Sequence, residues 1–223
     1  MKPILFNTEM VQAILEDRKT VTRRCVKHEI HVFEKNGETL VYDHRFLFDF
    51  ALDAYIDSQA RYKKGDVLYV RETWGDYDGE ASYYLYKADY TEGQKGFWFE
   101  KEQIHWVELP KWKPSIHMPK EAARLFLRIT DVRIESLQDI TTDQAIKEGA
   151  WTMENACPFS IKHVLHETAR THAIAAFAYL WDPLIKKSEL SIYGWDANPY
   201  VWVYEFEVIS KAEAMKKSEE ECQ

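Results

Sequence analysis

The alternation of apolar and polar residues along the chain predicts a series of short β-strands. The clearest alternating runs cover residues 67–72, 124–134 and 200–209. Segments 2–6 and 82–87 and the β-branched run 20–22 are shorter strand candidates. Successive side chains of a strand point to opposite faces, so this alternation is typical of strands with one buried face. Asn36-Gly37 divides segment 31–42 into two alternating halves. That dipeptide between two such runs predicts a β-hairpin.

Helical periodicity is confined to three segments. The first helix is expected to follow Asn7 or the threonine after it and to end near Asp17, where a β-branched run begins. A T-x-x-Q capping box at Thr141 predicts a second, short helix, and Gly149 is placed to end it. Residues 159–181 carry one apolar face over a longer stretch and predict the third helix.

Strands outnumber helices in this interpretation, and most strands are separated only by turns. The pattern predicts an α+β fold based on a small, mostly antiparallel β-barrel with flanking helices and insertions. We expect one domain over residues 1–210, with a hairpin-containing insertion at about 28–62. Segment 91–113, rich in Gly, Trp and Lys, is predicted to be a long loop with one strand or none. The charged residues 211–223 are predicted to form a flexible tail.

Composition and motif content exclude several classes of protein. The chain has a formal net charge of -8, no basic leader followed by an apolar run, and no apolar stretch long enough to cross a membrane. We therefore expect a cytoplasmic protein without a membrane partner. Three cysteines without CxxC spacing, and the absence of an HExxH pattern, predict neither a disulfide framework nor a metal site. No phosphate-binding glycine motif occurs, and no cofactor is expected.

A dense cluster of positive charge occupies residues 17–24. It contains one lysine, three arginines and two threonines within eight residues. Because the rest of the chain is acidic, this cluster suits a small or phosphate-bearing ligand better than a long polyanion. Arg23 is expected to form an ordinary surface pair with a carboxylate.

Residues 19–24 and 64–70 resemble the ASCH family, a PUA-like β-barrel group associated with RNA. The family has the loose pattern G-x-K-x-x-E-x-R. Three further segments, 70–74, 113–119 and 195–199, are similar to the larger ASCH-type proteins of phages and prophages, so that the resemblance covers most of the chain. It implies a PUA-like barrel fold.

The family pattern can be followed residue by residue. Lys19 matches its lysine and Arg24 its arginine, whereas Asp17 stands at its glycine and Thr22 at its glutamate. Threonine at this position is found in a bacterial branch that hydrolyses N4-acetylcytidine with a lysine, this threonine and a glutamate on a later helix. The resemblance therefore implies Lys19, Thr22 and Glu148 as catalytic residues.

These three residue types fit amide hydrolysis. A threonine hydroxyl becomes a nucleophile when a base removes its proton, and a lysine serves as that base when its pKa is lowered, an effect that nearby arginines favour. Glu148 would protonate the leaving amine. The same residues also fit a simpler role, in which Lys19 and the arginines bind phosphate or surface carboxylates, Thr22 favours β-structure and Glu148 is solvated.

Five residues are candidates for substrate binding: Arg24, Arg71, Glu72, Trp74 and His117. The arginines would position a substrate by charge and Trp74 would stack on a base. Neighbours on a strand point to opposite faces, so at most one of Arg71 and Glu72 faces the site. His117, on the same side as Ser115 if that segment is a strand, would contact the ligand or be a partly buried structural histidine.

The expected partner is a nucleoside, a modified base or a short single-stranded RNA. The leading hypothesis is an amidohydrolase that deacylates the exocyclic nitrogen of a modified cytidine. The alternatives are a non-catalytic RNA- or modified-base-binding module of phage or prophage origin, a phage protein whose insertion at 28–62 binds a host partner, and an RNA-cleaving enzyme.

Overall fold

The computed structural model describes residues 1–77, 80–90, 96–100, 103–107, 111–149 and 166–220. The chain forms two compact units. The first unit combines Met1–Asp17, Val67–Arg128 and Val208–Gln223, and the second combines Arg18–Asp66 and Ile129–Glu207.

Twelve strands occur in the described residues, and alternation located most of those in the main sheet. They are β1 Lys2–Leu5, β2 Val21–Cys25, β3 Ile30–Lys35, β4 Glu38–Asp43, β5 Asp49–Ala51, β6 Val67–Arg71, β7 Trp74–Tyr77, β8 Glu80–Tyr86, β9 Gly96–Glu100, β10 Gln103–Val107, β11 Phe126–Ser136 and β12 Tyr200–Ile209. Five of them share a sheet in the order β1-β6-β11-β12-β2. Strands β1 and β6 are parallel, whereas β6 pairs antiparallel with β11 and β12 with β2. The predicted α+β class is confirmed, with a mixed sheet.

Six α-helices accompany these strands in the described residues. They are α1 Thr8–Leu15, α2 Leu52–Gln59, α3 Thr142–Lys147, α4 His166–Trp181, α5 Leu190–Tyr193 and α6 Lys211–Glu220. Asn7 caps α1 by accepting a hydrogen bond from the Met10 amide at 2.8 Å, as predicted. The predicted third helix corresponds to α4, and its expected first residues, 159–165, lie outside the described residues. Within the described residues no helix is long and apolar enough to cross a membrane.

The first unit is built around a cluster of buried side chains: Val67, Trp74, Met118, Ala122, Ala123, Phe126, Ile209 and Ala214. Ala214 belongs to α6, a helix over residues 211–220 that was not predicted from the sequence. Ser210 and Glu213 form a capping box that starts α6: the Glu213 amide donates to Ser210 Oγ at 3.2 Å, and the Ser210 amide donates to Glu213 Oε2 at 3.0 Å. The last predicted tail residues, 221–223, lie outside the described residues.

The second unit packs α3 and α4 against one face of β2 and β12. Its buried cluster is Val21, Leu137, Ile140, Ala145, Ala173, Phe177, Trp181, Val201 and Val203. Val21 lies at an alternate position of β2, next to Thr22 on the opposite face. Strands β2 and β12 therefore pack one face against the two helices, and the side chains of their opposite face contact other residues.

Two hairpins test the turn predictions. Strands β3 and β4 are joined by Asn36-Gly37, whose φ angles of 55° and 81° are those of a type I′ turn, so the predicted hairpin is confirmed. Strands β9 and β10 pair antiparallel within segment 91–113, so the prediction of a long loop with one strand or none was wrong. The run Phe97-Trp98-Phe99 is strongly β-favouring despite its Gly- and Lys-rich surroundings.

Candidate active site around Lys19 and Glu148

Two turns in the backbone determine where Lys19 and Glu148 lie. Asp17 adopts φ of 56°, in the left-handed region that aspartate tolerates better than most residues. Lys19 then forms an isolated antiparallel β-bridge with Glu148. The Thr20 amide donates to the Lys147 carbonyl at 2.9 Å, so main-chain contacts hold the two segments together.

Glu148 is positioned by the capping of α3. Thr141 and Gln144 form the predicted capping box at its start, Glu148 is the C-cap residue, and Gly149 follows with φ of 76°. Glycine adopts that angle without strain, so the chain can turn immediately after Glu148. The predicted short helix is therefore confirmed at both ends.

Lys19 is a buried ammonium with a complete set of hydrogen-bond acceptors. Its Nζ donates to the Val21 carbonyl at 2.8 Å, to the Glu148 carbonyl at 2.9 Å and to Glu148 Oε2 at 2.7 Å. Lys19 is 1% exposed and Glu148 is 7% exposed, so the pair is shielded from solvent. Three acceptors match the three N–H groups of a protonated lysine.

The Glu148 carboxylate contacts a second cation through its other oxygen. Arg23 Nη1 donates to Glu148 Oε1 at 3.0 Å, and Arg23 Nη2 donates to Glu135 Oε2 and to Gln144 Oε1 at 3.0 Å each. The Arg23 side chain is fully buried, so the expectation of a surface pair was wrong. Arg23 shares the face of β2 that α3 and α4 cover, where two carboxylates offset the cost of burying its charge.

The position of Lys19 changes its acidity. Burial lowers the pKa of the Lys19 ammonium below its ordinary value, while Glu148 opposes this change through its charge and its hydrogen bond. Arg24 and Arg23 lower the pKa of Lys19 further, as expected from the sequence, but their effect is smaller than that of burial. A buried lysine with a lowered pKa is a better proton acceptor near neutral pH than an exposed one.

Thr22 and Arg24 lie on the other face of β2, among aromatic residues. Thr22 is opposite Tyr204 and Arg24 is opposite Trp202 in the pairing with β12. Tyr62 packs edge-on against Tyr204, with ring centroids 5.2 Å apart. Burial lowers the pKa of the half-buried Arg24 guanidinium.

Lys19 and Glu148 are therefore in direct contact, and Thr22 follows Lys19 by three residues. Thr22 is 2% exposed. The structure thus contains an acid–base pair, with a hydroxyl three residues along the chain from Lys19.

The candidates Arg71 and Glu72 belong to the first unit. Arg71 Nε donates to the Met118 carbonyl at 2.8 Å. Glu72 is 1% exposed and accepts two hydrogen bonds from Arg124, at 2.9 Å to Oε1 and 3.0 Å to Oε2. Burial raises the pKa of the Glu72 carboxyl, although Arg124 opposes the change. Glu72 is thus engaged in a bidentate pair within the fold.

Trp74 and His117 also lie in the first unit. Trp74 is 7% exposed, Lys113 Nζ lies 4.7 Å from its ring centroid, and its indole Nε1 has no hydrogen-bond partner among the described residues. His117 is exposed and ends a 3-10 turn that begins at Ser115, so the idea that Ser115 and His117 share one side of a strand was wrong. Proline on either side of this segment favours a turn over a strand.

Sequence reasoning missed the partners that complete the site. Glu135 and Gln144 both bond to Arg23, and Arg133 donates in turn to Glu135 Oε1 at 3.0 Å and to Glu205 Oε1 at 2.8 Å. Alternation along β11 places Arg133 and Glu135 on one face, and this was the only feature of the sequence that could have indicated their contact.

No family model, curated protein or solved structure matches this chain.

Proposed function

We propose that this protein is an ASCH-type member of the PUA-like barrel class that binds a nucleoside, a modified base or a short single-stranded RNA. We further propose that it hydrolyses the amide formed by an acyl group on an exocyclic base nitrogen. The observation that carries the proposal is the 2.7 Å contact between Lys19 Nζ and Glu148 Oε2 inside the protein. These residues were expected to meet because of a family pattern, although they are 129 positions apart.

The backbone at Asp17 also supports the family resemblance. ASCH-type sequences usually have glycine at this position, and the φ of 56° at Asp17 lies in the region that glycine adopts most readily. Aspartate is one of the few other residues that adopt it at modest cost. Aspartate in place of the usual glycine is therefore compatible with the left-handed backbone conformation at position 17.

In the proposed reaction, one proton first moves from Lys19 Nζ to Glu148 Oε2, which leaves a neutral amine beside a carboxylic acid. Lys19 then accepts the proton of the Thr22 hydroxyl as the threonine oxygen attacks the acyl carbon. The C–N bond breaks as Glu148 protonates the departing nitrogen. Water hydrolyses the Thr22 ester, releases the carboxylic acid and restores the hydroxyl.

Substrate binding in this proposal involves the aromatic face of β2. Arg24 would contact a phosphate or the base edge, beside the buried rings of Tyr62, Trp202 and Tyr204. A role in substrate binding stays a prediction for the other four candidates, Arg71, Glu72, Trp74 and His117.

Incubation of the purified protein with N4-acetylcytidine, followed by chromatography for cytidine and acetate, tests the reaction directly. We expect Thr22→Val to abolish turnover and Thr22→Ser to retain part of it. Glu148→Gln should lower kcat by about 10²–10⁴-fold, the usual contribution of a positioned acid or base. Thr20→Val is the matched control and should retain activity. The hydrolase proposal is wrong if the wild-type protein releases no cytidine or if Thr22→Val turns over normally.

A second function, a non-catalytic reader of RNA or of a modified base, is favoured by one specific observation. The three Lys19 donors and both Glu148 oxygens are already engaged within the protein. In this alternative the pair shapes the site and Arg24 binds the ligand. Fluorescence anisotropy with a short single-stranded RNA at 50 and 200 mM salt would show salt-sensitive binding that survives Thr22→Val, without product.

A further inference from the structure

Three side chains with metal-binding atoms share one face of the β3–β4 hairpin region. Glu29 and His31 are two residues apart, so their side chains lie on the same side of the strand. His44 lies opposite Glu29: its amide donates to the Glu29 carbonyl at 3.4 Å, and the pairing of Ile30 with Asp43 continues the same register. The two strands thus bring two imidazoles and one carboxylate together.

The distances between these groups fit a metal ion better than direct hydrogen bonds. Glu29 Oε1 lies 3.7 Å from His31 Nε2 and 3.6 Å from His44 Nε2. A hydrogen bond between such atoms would measure about 2.7–3.2 Å. Ligands about 2.0–2.1 Å from a tetrahedral Zn²⁺ lie about 3.4 Å from one another. All three ligand atoms lie within 4.8 Å of one another, so a small rotation of the exposed rings would complete the set.

The backbone beneath this cluster is held in place by buried residues. Ile30, Val41 and Asp43 point to the opposite face and are 4%, 0% and 0% exposed. The Asp43 carboxylate accepts hydrogen bonds from the Tyr55 hydroxyl at 2.7 Å and from the Arg45 amide at 2.9 Å. These contacts fix the backbone on both sides of His44, so only the exposed side chains would need to adjust to a ligand.

We propose that Glu29 Oε1, His31 Nε2 and His44 Nε2 form a binding site for one divalent transition-metal ion of the Zn²⁺ type. Two imidazoles and one carboxylate favour such an ion over Mg²⁺ or Ca²⁺, which prefer oxygen ligands. The side chains are 71%, 60% and 45% exposed, in the same order, which leaves the fourth coordination position open to water or to a ligand from another molecule. The site is separate from Lys19 and Glu148 and does not depend on the function proposed above.

Calorimetric titration of the tag-free, full-length chain with Zn²⁺ tests this site. We expect one ion per chain and at least about tenfold weaker binding for His31→Ala, His44→Ala and Glu29→Gln. His117→Ala removes an exposed histidine elsewhere and is the matched control, so its affinity should not change. Because the three side chains are exposed, the variants should keep the wild-type circular dichroism spectrum.

A Co²⁺ titration gives an independent measure of coordination. Intense visible absorption bands in the wild type, which His44→Ala removes and His117→Ala leaves intact, would support a protein-bound ion with few ligands. The proposal is overturned if the wild type binds no Zn²⁺ specifically, or if the three substitutions leave stoichiometry and affinity unchanged.

Discussion

Replacement of Glu148 by glutamine is the most informative perturbation of the site, because it removes one charge and almost no volume. The Lys19 ammonium would remain buried with its two backbone acceptors, the carbonyls of Val21 and Glu148, but without the carboxylate 2.7 Å away. Arg23 would lose one of its two carboxylate partners and keep Glu135.

The expected loss of stability follows from opposing energies. At 2.7 Å the attraction between two unit charges is about 6 kcal/mol for an effective dielectric constant of 20. Desolvation of the two groups offsets much of that attraction, and removal of one partner from a buried pair costs about 3–5 kcal/mol. Two backbone acceptors and the new amide oxygen still solvate the Lys19 ammonium. We therefore expect Glu148→Gln to lower the free energy of unfolding by about 3 kcal/mol at pH 7.

The pH dependence of the lost unfolding free energy gives a sharper test than its size at pH 7. Burial already lowers the pKa of Lys19, and Glu148→Gln removes the group that opposes this change, so the pKa falls further. Between that lowered value and the ordinary lysine pKa of about 10.4, the unfolded chain binds more protons than the folded one. Stability then rises with pH, by at most about 1.4 kcal/mol per pH unit. The wild type shows the same rise only above its own, higher Lys19 pKa, so the difference from wild type should shrink with rising pH between the two folded-state pKa values and stay constant above them.

Urea denaturation at several pH values, followed by tryptophan fluorescence, measures both effects. Lys19→Met/Glu148→Gln lacks the titrating amine, so its stability relative to Lys19→Met should be independent of pH. Lys27→Met breaks an exposed pair with Glu189 at 3.5 Å and should cost about 1 kcal/mol or less. A loss below about 1 kcal/mol for Glu148→Gln at pH 7, or one that stays constant over the whole pH range in which both proteins are folded, would refute the assignment of a buried, desolvated ion pair.

Three further substitutions test other parts of the fold. Arg124→Met leaves the buried Glu72 carboxylate unpaired and should cost about 3 kcal/mol at pH 7. The pKa of Glu72, already raised by burial, would rise further, so protonation below it removes the buried charge and the cost measured by urea denaturation should decrease from pH 7 to pH 5. Gly194→Ala places a Cβ atom 2.5 Å from the Leu190 carbonyl oxygen and should cost about 1–3 kcal/mol in the same assay, whereas an unchanged midpoint would contradict this geometry. Asn7→Ala removes an N-cap and should cost about 1 kcal/mol by thermal unfolding, with Asn7→Asp as the control that keeps a capping oxygen.

Sequence patterns predicted helices and strands well where these depend on residues that are close along the chain. Alternation located β12 over Tyr200–Ile209, while the T-x-x-Q pattern located the start of α3 and Gly149 its end. The α6 helix has a start signal in the capping box of Ser210 and Glu213, but the highly charged composition of the segment is typical of a flexible tail.

Features that depend on partners from distant segments could not be predicted in the same way. The burial of Arg23 requires Glu135 and Glu148, which lie more than a hundred positions further along the chain. The grouping of His44 with Glu29 likewise depends on the pairing of two strands, and no single motif contains it. Sequence reasoning brought Lys19 and Glu148 together only through a family resemblance, since no spacing rule joins residues so far apart.

The long separation between Lys19 and Glu148 has a consequence for synthesis of the protein. At about 5–20 residues per second, a ribosome needs roughly 6–26 s to add the 129 residues that separate them. During that interval the Lys19 ammonium has no carboxylate to receive it and remains hydrated on the emerging chain. The catalytic centre proposed here is therefore absent from every nascent fragment that ends before Glu148, and its formation reports that the chain has been translated beyond Glu148 and that this residue has reached Lys19.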